Sequence, residues 1–286
     1  MIVPLIQVKD LHHTYLRGTP METVSLRGVD LLIERGEIVG LIGPTGSGKS
    51  TLLQHLNGLL RPQQGEVWVE GQSLGDPRTD LRRVRQRVGL LFQNPEDQLF
   101  ERYAGDDVAF GPRNLGLDRN EVRDRVRRAM EAVGLDSIAF KDRLTVTLSH
   151  GERRRLALAG VLALEPDVLA LDEPTAGLDP QGREELLDYL MRWRTERGGA
   201  IVLASHTMED LARLADRAYV LVAGRIVLEG TPRQLFSQGE ELARLGLGVP
   251  VATAVMGELR KRGLLLRTDC LTVEEAAAEI KALFED

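Results

Sequence analysis

A glycine-rich segment following an apolar strand has the spacing of a phosphate-binding loop, G-x-x-x-x-G-K-[ST]. Its glycines let backbone N–H groups wrap a polyphosphate. Its lysine can reach the β- and γ-oxygens, and the following hydroxyl can ligate Mg²⁺. The segment consists of Gly43, Pro44, Thr45, Gly46, Ser47, Gly48, Lys49, Ser50 and Thr51. Because a strand precedes it and a helical pattern follows it, a chance glycine-rich turn is disfavoured.

Two acidic residues, Asp172 and Glu173, follow the apolar run 168–171. Carboxylates at the carboxyl end of a strand lie where an open α/β sheet binds its ligands. Asp172 can hold Mg²⁺ through its water shell, and Glu173 can orient or deprotonate an attacking water. Such a pair is commonplace alone, but together with the upstream phosphate loop it indicates phosphoryl chemistry.

The segment Leu148-Ser149-His150-Gly151-Glu152 resembles the signature of ATP-binding cassette (ABC) ATPases, usually Leu-Ser-Gly-Gly-Gln. The resemblance covers roughly Leu5 to Leu235 and implies ATP and Mg²⁺ as ligands. It also implies that Ser149 and Gly151 meet the γ-phosphate held by a second ATPase subunit. His150 departs from the usual glycine, which leaves activity expected but puts the signature geometry in question.

The same resemblance implies roles for four further residues. Gln93 matches the loop glutamine that senses Mg²⁺ and the attacking water, and His206 matches the switch histidine that contacts the γ-phosphate. Asp179 matches the loop that couples the two sites of a dimer. Tyr15 matches the aromatic residue that stacks on adenine, although plain packing is an alternative for it. Glu173, His206, Gln93 and Lys49 are therefore the expected catalytic residues, and Ser50, Gln93 and Asp172 the expected Mg²⁺ residues.

The segment 92–100, Phe-Gln-Asn-Pro-Glu-Asp-Gln-Leu-Phe, resembles the ATPases of energy-coupling-factor importers, which take up vitamins or cobalt and nickel. Residues 173–180 and the C-terminal appendage are similar to that group too. The alternative is a generic ABC importer cassette, such as one for amino acids. Leu99 and Phe100 either grip the membrane partner, as the resemblance implies, or belong to a helical core.

The resemblance also predicts the partners and the location. They are a second ABC ATPase subunit in a homo- or heterodimer, an integral membrane coupling subunit and a substrate-binding membrane subunit, with the chain at the cytoplasmic face of the membrane. A ribosome-acting cassette usually has two cassettes per chain, and a DNA-repair cassette carries a long coiled coil between its motifs. About a hundred residues without sustained heptads separate Lys49 from Ser149 here. No Asn-Lys-x-Asp motif supports a GTPase.

The composition agrees with a soluble motor that acts through a membrane partner. The 286 residues carry 37 Lys and Arg against 43 Asp and Glu, a net charge of -6 that gives no support to nucleic acid as a partner. The single cysteine, Cys270, excludes an internal disulfide. Residues 1–10 do not resemble a signal peptide, and no apolar run reaches the length of a membrane span.

The pattern of elements that must position these residues predicts an α/β phosphate-loop NTPase cassette. We expect an N-terminal antiparallel β part, an inserted helical subdomain at about 95–165, and alternating strands and helices from residue 168 that imply a parallel sheet. The expected domains are a cassette at 1–239 and a small α-containing appendage at 240–286, with a capping box at Thr272–Glu275.

The appendage has apolar positions that so short a segment can hardly bury alone. A twin appendage or the chain's own cassette could cover them, and the sequence pattern does not choose between the two. The resemblance to energy-coupling-factor ATPases favours a dimer contact. The positions are Val251, Val255, Leu259, Val273, Ala276, Ala277, Ile280 and Leu283.

Overall fold

The computed structural model describes residues 4–285, without the side chains of Glu96, Phe284 and Glu285. Residues 1–3 and 286, at the ends of the two predicted domains, lie outside the described residues. The strands are β1 (Ile6–Tyr15), β2 (Thr23–Ile33), β3 (Ile38–Ile42), β4 (Gln64–Val69), β5 (Gln72–Ser73), β6 (Val88–Leu91), β7 (Val168–Asp172), β8 (Ala200–Ala204), β9 (Arg217–Val222) and β10 (Arg225–Gly230).

The α-helices cluster in the middle and at the end of the chain. They are α1 (Lys49–Leu56), α2 (Leu81–Arg87), α3 (Ala104–Asn114), α4 (Arg119–Ala132), α5 (Ser137–Phe140), α6 (His150–Leu162), α7 (Pro180–Arg197), α8 (Met208–Leu214), α9 (Pro232–Phe236), α10 (Gly239–Arg244), α11 (Val251–Lys261) and α12 (Val273–Glu285). Among residues 4–285, no helix is both long and apolar enough to cross a membrane.

The N-terminal part is an antiparallel sheet, as the sequence predicts, and its strand order is β2-β1-β4-β5. Val29, Leu31 and Ile33 of β2 are buried, and the residues between them are exposed. This alternation is what a strand with one face on a core requires. β2 is therefore a half-buried strand of this sheet.

The central sheet has the order β10-β9-β3-β8-β7-β6, parallel from β9 to β6, with β10 antiparallel at its edge. Every residue of β3, β7 and β8 is buried, as expected for strands covered on both faces. Ile38 and Ile42 pack into the core on the helical side, whereas Val39 and Leu41 pack into the core against the antiparallel sheet. The carboxyl ends of β3, β7 and β8 meet at one edge, which becomes the site.

The predicted helical region contains α3 to α6. In α4, Val122, Ala129 and Met130 are buried on one face, and Gly134 follows the helix at φ 73°, a conformation that suits glycine. Leu99 packs partly buried against the core, whereas Phe100 remains 63% exposed and stacks edge-on against Phe110. The core interpretation therefore holds for Leu99 and not for Phe100.

The appendage packs Leu242 and Leu247 into the cassette core and also has a small core of its own. Its core contains Ala252, Met256, Leu266, Cys270 and Ala276, with Leu259 and Ile280 at its edge. Val251, Val255 and Val273 remain 64%, 46% and 68% exposed. The appendage therefore covers only part of the predicted apolar face.

Polar contacts add to this apolar packing between the appendage and the cassette. Arg233 of α9 donates to the Asp269 carbonyl and to the Glu275 carboxylate, each at 2.7 Å. The Val251 N–H, at the start of α11, donates to Glu209 of α8 at 3.1 Å. These contacts hold the appendage next to the helix that follows His206.

Some local predictions were incomplete. The Glu275 N–H donates to the Thr272 hydroxyl, but the Glu275 carboxylate accepts from the Leu271 N–H instead of the Thr272 N–H, so the predicted capping box is half formed. This carboxylate also pairs with Arg233, which lies on the cassette. The sequence analysis did not identify four short elements, because none carries enough apolar residues to show a period: β5, α2, α9 and α10.

Candidate active site at the edge of the central sheet

The phosphate loop connects β3 to α1 and is held against β9 and its following turn. A Cβ at Gly43 would lie 2.1 Å from the Leu221 carbonyl oxygen, so only glycine fits there. Gly48 precedes α1 at φ 109°, a conformation that side chains rarely adopt. The Ser47 carbonyl accepts from the Gly224 N–H at 3.0 Å. These constraints form a wrapped loop that opens at a helix N-terminus, the geometry that favours bound phosphate.

Lys49 is buried at the first turn of α1. Its ammonium donates to the carbonyls of Gly43 at 2.7 Å and Pro44 at 3.1 Å. Burial lowers the pKa of Lys49, while the nearby carboxylates of Glu173 and Asp172 raise it. The ammonium is thus positioned at the loop with two negative groups close by.

Asp172 and Glu173 occupy the carboxyl end of β7. Burial raises the pKa of Asp172, and a hydrogen bond from Ser50 and the charge of Lys49 oppose that effect. Glu173 has φ 51°, in the left-handed region, and its N–H donates to the Ala204 carbonyl at 2.9 Å. Strained backbone of this kind often accompanies a functional site. Here it turns the Glu173 side chain from the sheet toward the loop.

Glu173 and His206 face each other across adjacent strands. The His206 N–H donates to Glu173 Oε2 at 3.2 Å, and His206 Nε2 lies 3.3 Å from Glu173 Oε1. Oε1 is buried, and the contact with His206 does not meet hydrogen-bond geometry. Burial raises the pKa of Glu173. A buried carboxylate oxygen without a good donor is suited to accept a proton from water.

Gln93 joins the site from the loop after β6. The backbone carbonyl of Gln93 accepts a hydrogen bond from Arg154, a buried side chain of α6. Arg154 also donates to the backbone carbonyl of Glu173. Arg154 was not predicted as a site residue. The signal that could have identified it is a charged residue on the buried face of the helix that follows the signature. Arg154 fixes the loop of Gln93 relative to Glu173.

One cavity of about 150 Å³ collects most of the predicted residues. Its lining consists of Ser25, Thr45, Gly46, Ser47, Gly48, Lys49, Ser50, Thr51, Gln93, Asp172, Glu173 and His206. Ser47 Oγ is buried there without a hydrogen-bond partner. Hydroxyl, amide and carboxylate oxygens are the ligands that Mg²⁺ prefers, so the residues present fit a magnesium–nucleotide.

The signature residues do not line this cavity. Ser149 caps α6 by accepting from the Glu152 N–H at 3.2 Å, while the Glu152 carboxylate accepts from the Ser149 N–H at 2.7 Å. His150 lies over Gly177, where an added Cβ would be 2.7 Å from the imidazole. Asp179 caps α7 by accepting from the Gly182 N–H at 2.6 Å. Within one chain, Ser149, Gly151 and Asp179 therefore lie outside the phosphate cavity.

Tyr15 lies outside the cavity but contacts its wall. Its hydroxyl is 3.1 Å from Thr51 Oγ1, and its ring, 37% exposed, stacks edge-on against His13. His13 in turn stacks edge-on against His55 of α1. Tyr15 is thus packed on one side and open on the other, which is compatible with both interpretations made from the sequence.

His55 should make the fold acid-sensitive. Burial lowers the pKa of His55 to about 4 from 6.5, so the unfolded chain binds the proton first as the pH falls. The stability contributed by neutral His55 is fully present above pH 6.5. Protonation of the unfolded chain removes it as the pH falls from about 6.5 to 4, which lowers the free energy of unfolding by about 3 kcal/mol. We expect His55→Leu to reduce the fall in urea midpoint across this window. His12→Leu, at a partly exposed histidine, is the control, and equal pH curves for His55→Leu and the unmodified chain would contradict the prediction.

Comparison with known proteins agrees with this geometry. A sequence model described as ABC transporter matches residues 26–176. An energy-coupling factor transporter ATP-binding protein, EcfA2, of Symbiobacterium thermophilum is 55% identical over 271 residues, covering 95% of this chain and 93% of the relative. The corresponding EcfA protein of Methanothermobacter thermautotrophicus is 41% identical over 276 residues, covering 96% and 86%.

Solved structures give the same result. CbiO1 of Clostridium perfringens, described as part of the ABC transporter complex cbiONQ, has a TM-score of 0.73 and 35% identity, covering 90% of this chain and 99% of that one. A dimeric ATP-binding cassette in a post-hydrolysis state with ADP and Pi has a TM-score of 0.74 and 27% identity, covering 79% and 98%.

A nucleotide-binding edge of this kind, on a parallel sheet with an inserted helical region, defines an ABC ATPase, and the predicted α/β cassette fold is confirmed. Within that class, the chain belongs to the ATP-binding, ATP-hydrolysing proteins of energy-coupling factor transporters.

Proposed function

We propose that the chain is one of two ATPase subunits that power an importer of vitamins or transition-metal ions from the cytoplasmic face of the membrane. Its partners would be an integral membrane coupling subunit and a substrate-binding membrane subunit. The full-length similarity to energy-coupling factor ATPases supports this proposal. The division of the site supports the two-subunit part of the proposal, because the phosphate cavity and the signature of one chain lie apart.

A divided site implies a dimer in which each cavity is completed by the other subunit. Lys49 and the loop N–H groups would hold the β- and γ-phosphates, with Tyr15 stacking on the adenine. Ser149 and Gly151 of the partner copy, at the N-terminus of α6, would add N–H and hydroxyl donors to the γ-phosphate. Asp179 would lie in the loop that couples the two sites.

Glu173 is the proposed base for the attacking water. Its raised pKa, caused by burial, brings its proton affinity closer to that needed at neutral pH. His206, 3.3 Å from Glu173 Oε1, would contact the γ-phosphate and hold the carboxylate in position. Catalysis then consists of positioning and charge stabilisation, with little covalent chemistry by the protein.

Mg²⁺ is the proposed cofactor of this reaction. Ser50, Gln93 and Asp172 would hold it, directly or through water. When bound, the ion neutralises charge on the β- and γ-phosphates. The hydrogen bond between Ser50 and Asp172 brings two of these groups together in the protein itself.

The importer assignment is tested by the proteins that accompany the chain. Affinity purification from detergent-solubilised membranes of the source cell should recover a multi-span membrane protein and a second ATPase subunit. Vesicles reconstituted with these components should accumulate a vitamin or a transition-metal ion when ATP is supplied on the side of the ATPases. Recovery of ribosomal proteins, or uptake of amino acids only, would contradict the proposal.

The appendage is proposed to hold the two ATPase subunits together between ATP cycles. Its exposed valines, Val251, Val255 and Val273, belong neither to its own core nor to the cassette core. We expect deletion of residues 240–286 to abolish the nucleotide-free dimer while ATP binding is retained. Light scattering with and without ATP measures this.

Two point substitutions test whether the deletion acts through a lost dimer contact or through misfolding. Val251→Ser with Val255→Ser changes exposed side chains only and should also weaken the nucleotide-free dimer. An unchanged dimer in both variants, or a deletion variant that no longer binds ATP, would count against a dimer role for the appendage.

A further inference from the structure

Asp210 is a fully buried carboxylate that the proposed mechanism does not use. It lies in α8, four residues after His206, with 0% of its surface exposed. One oxygen accepts from the Thr175 hydroxyl at 2.7 Å. The other accepts from Arg183, with Nε at 2.8 Å and Nη2 at 2.5 Å. A carboxylate removed from water in this way needs such partners, so the three side chains have one well-defined arrangement.

The two partners of Asp210 flank the loop that contains Asp179. Thr175 lies two residues after Glu173, and Arg183 lies in the first turn of α7, next to the capping contact of Asp179. Asp210 therefore fastens both ends of the segment Thr175–Arg183 to the helix that starts just after His206. A shift of that helix would displace the whole loop.

We propose that Asp210 is a positioning residue, which sets the loop of Asp179 relative to Glu173 and His206 so that it fits the partner subunit. This inference rests on the proposed two-subunit site. It predicts an effect on turnover and on closure of the dimer. It predicts no effect on nucleotide binding to the phosphate loop, because Asp210, Thr175 and Arg183 do not line that cavity.

The same pair of helices provides a control for general packing. Arg213, also in α8, pairs with Glu184 and with Asp188 of α7, the latter at 2.7 Å. These side chains are between 38% and 57% exposed, so the pairs are worth little to stability. Arg213→Ala removes these pairs between α7 and α8 and leaves the hydrogen bonds of Asp210 with Thr175 and Arg183 in place.

The test uses the full-length chain, purified with the partner subunits that accompany it. We expect Asp210→Asn to lower kcat by about tenfold to 10²-fold, with KM and the Kd of a fluorescent ATP analogue changed by less than about twofold. Thr175→Val should act in the same direction, and Thr175→Ser, which keeps the hydroxyl, should restore kcat. Arg213→Ala should leave kcat unchanged.

ATP-driven closure gives a second readout. In a Glu173→Gln background, Asp210→Asn should raise the ATP concentration needed for dimer closure in light scattering. Wild-type kcat in both Asp210→Asn and Thr175→Val, or an equal loss in Arg213→Ala, would overturn the inference. If Asp210→Asn does not fold, the Thr175 pair decides alone. Absence of hydrolysis in the unmodified assembly would instead contradict the proposed function.

Discussion

Glu173→Gln should slow ATP hydrolysis by about 10²- to 10⁴-fold while ATP binding survives, the loss typical of removing a general base. The glutamine keeps the size of the side chain and its contact with the His206 N–H. It removes the negative charge that would polarise the attacking water. Binding depends mainly on the phosphate loop, so the variant should accumulate as an ATP-bound dimer.

Steady-state turnover and ATP-dependent dimerisation by light scattering measure this result. Glu229→Gln, an exposed carboxylate of the same sheet, is the matched control and should turn over normally. Near-normal turnover of Glu173→Gln would contradict the role of Glu173, and loss of ATP binding would show that its charge supports the loop instead.

The pH dependence of turnover gives an independent check on Glu173. Because burial raises the pKa of Glu173 above its ordinary value of 4.5, kcat should fall as the pH decreases through that raised pKa. The base is active only when deprotonated, so the loss lies on the acid side. Glu173→Gln should lack this acid limb, whereas the control should retain it.

Ser149→Arg should reduce hydrolysis to background without affecting nucleotide binding by the isolated chain. In the proposed dimer, Ser149 meets the γ-phosphate of the other subunit, and a large cation there would block closure. Within its own chain, Ser149 lies outside the phosphate cavity. Turnover and ATP-dependent dimerisation should therefore be lost together, while the Kd of a fluorescent ATP analogue stays the same.

Ser149→Ala distinguishes the blocking of dimer closure by a large side chain from the loss of the N-cap of α6. Both variants lose the bond between Ser149 Oγ and the Glu152 N–H, which costs about 1 kcal/mol, but alanine adds no bulk. We expect the alanine variant to keep measurable ATP-dependent dimerisation. If Ser149→Arg dimerised with ATP as the unmodified chain does, the signature would not lie at the subunit interface.

His150→Gly should leave hydrolysis within a few-fold, although it removes packing over Gly177 and adds backbone freedom costing about 1 kcal/mol at the start of α6. A lower melting temperature with preserved turnover is the expected pattern. Loss of most activity at full nucleotide binding would instead make His150 a functional ligand of the signature.

The sequence determined the features that depend on neighbours along the chain. The phosphate loop needs a buried strand, glycines at fixed offsets and a helix start, and all of these lie within residues 38–56. The antiparallel N-terminal part, the helical region and the alternation of strands and helices from residue 168 are present as predicted, because the strands and long helices carry their own apolar periods. The short elements α2, α9 and α10 carry too few apolar residues to show one.

Only the tertiary structure decided the contacts between segments that are distant in sequence. Glu173 meets His206 because β7 and β8 are parallel neighbours, with Asp172 paired to Ala204. Arg154 bridges Gln93 and Glu173 from a third segment. No local periodicity encodes such a pairing, since it depends on strand order and on which helix face packs on the sheet.

Tertiary contacts also decide the burial of residues whose surroundings could not be predicted from the sequence. Leu99 and Phe100 are adjacent and similar in type, yet Leu99 packs on the core and Phe100 is exposed, a difference that depends on tertiary contacts. The appendage folds around a few residues of its own, and its exposed valines are visible only once that core is built. From the sequence alone, Asp210 resembles an ordinary surface acid. Its burial depends on Thr175, which follows β7, and on Arg183 of α7, which the fold places next to it.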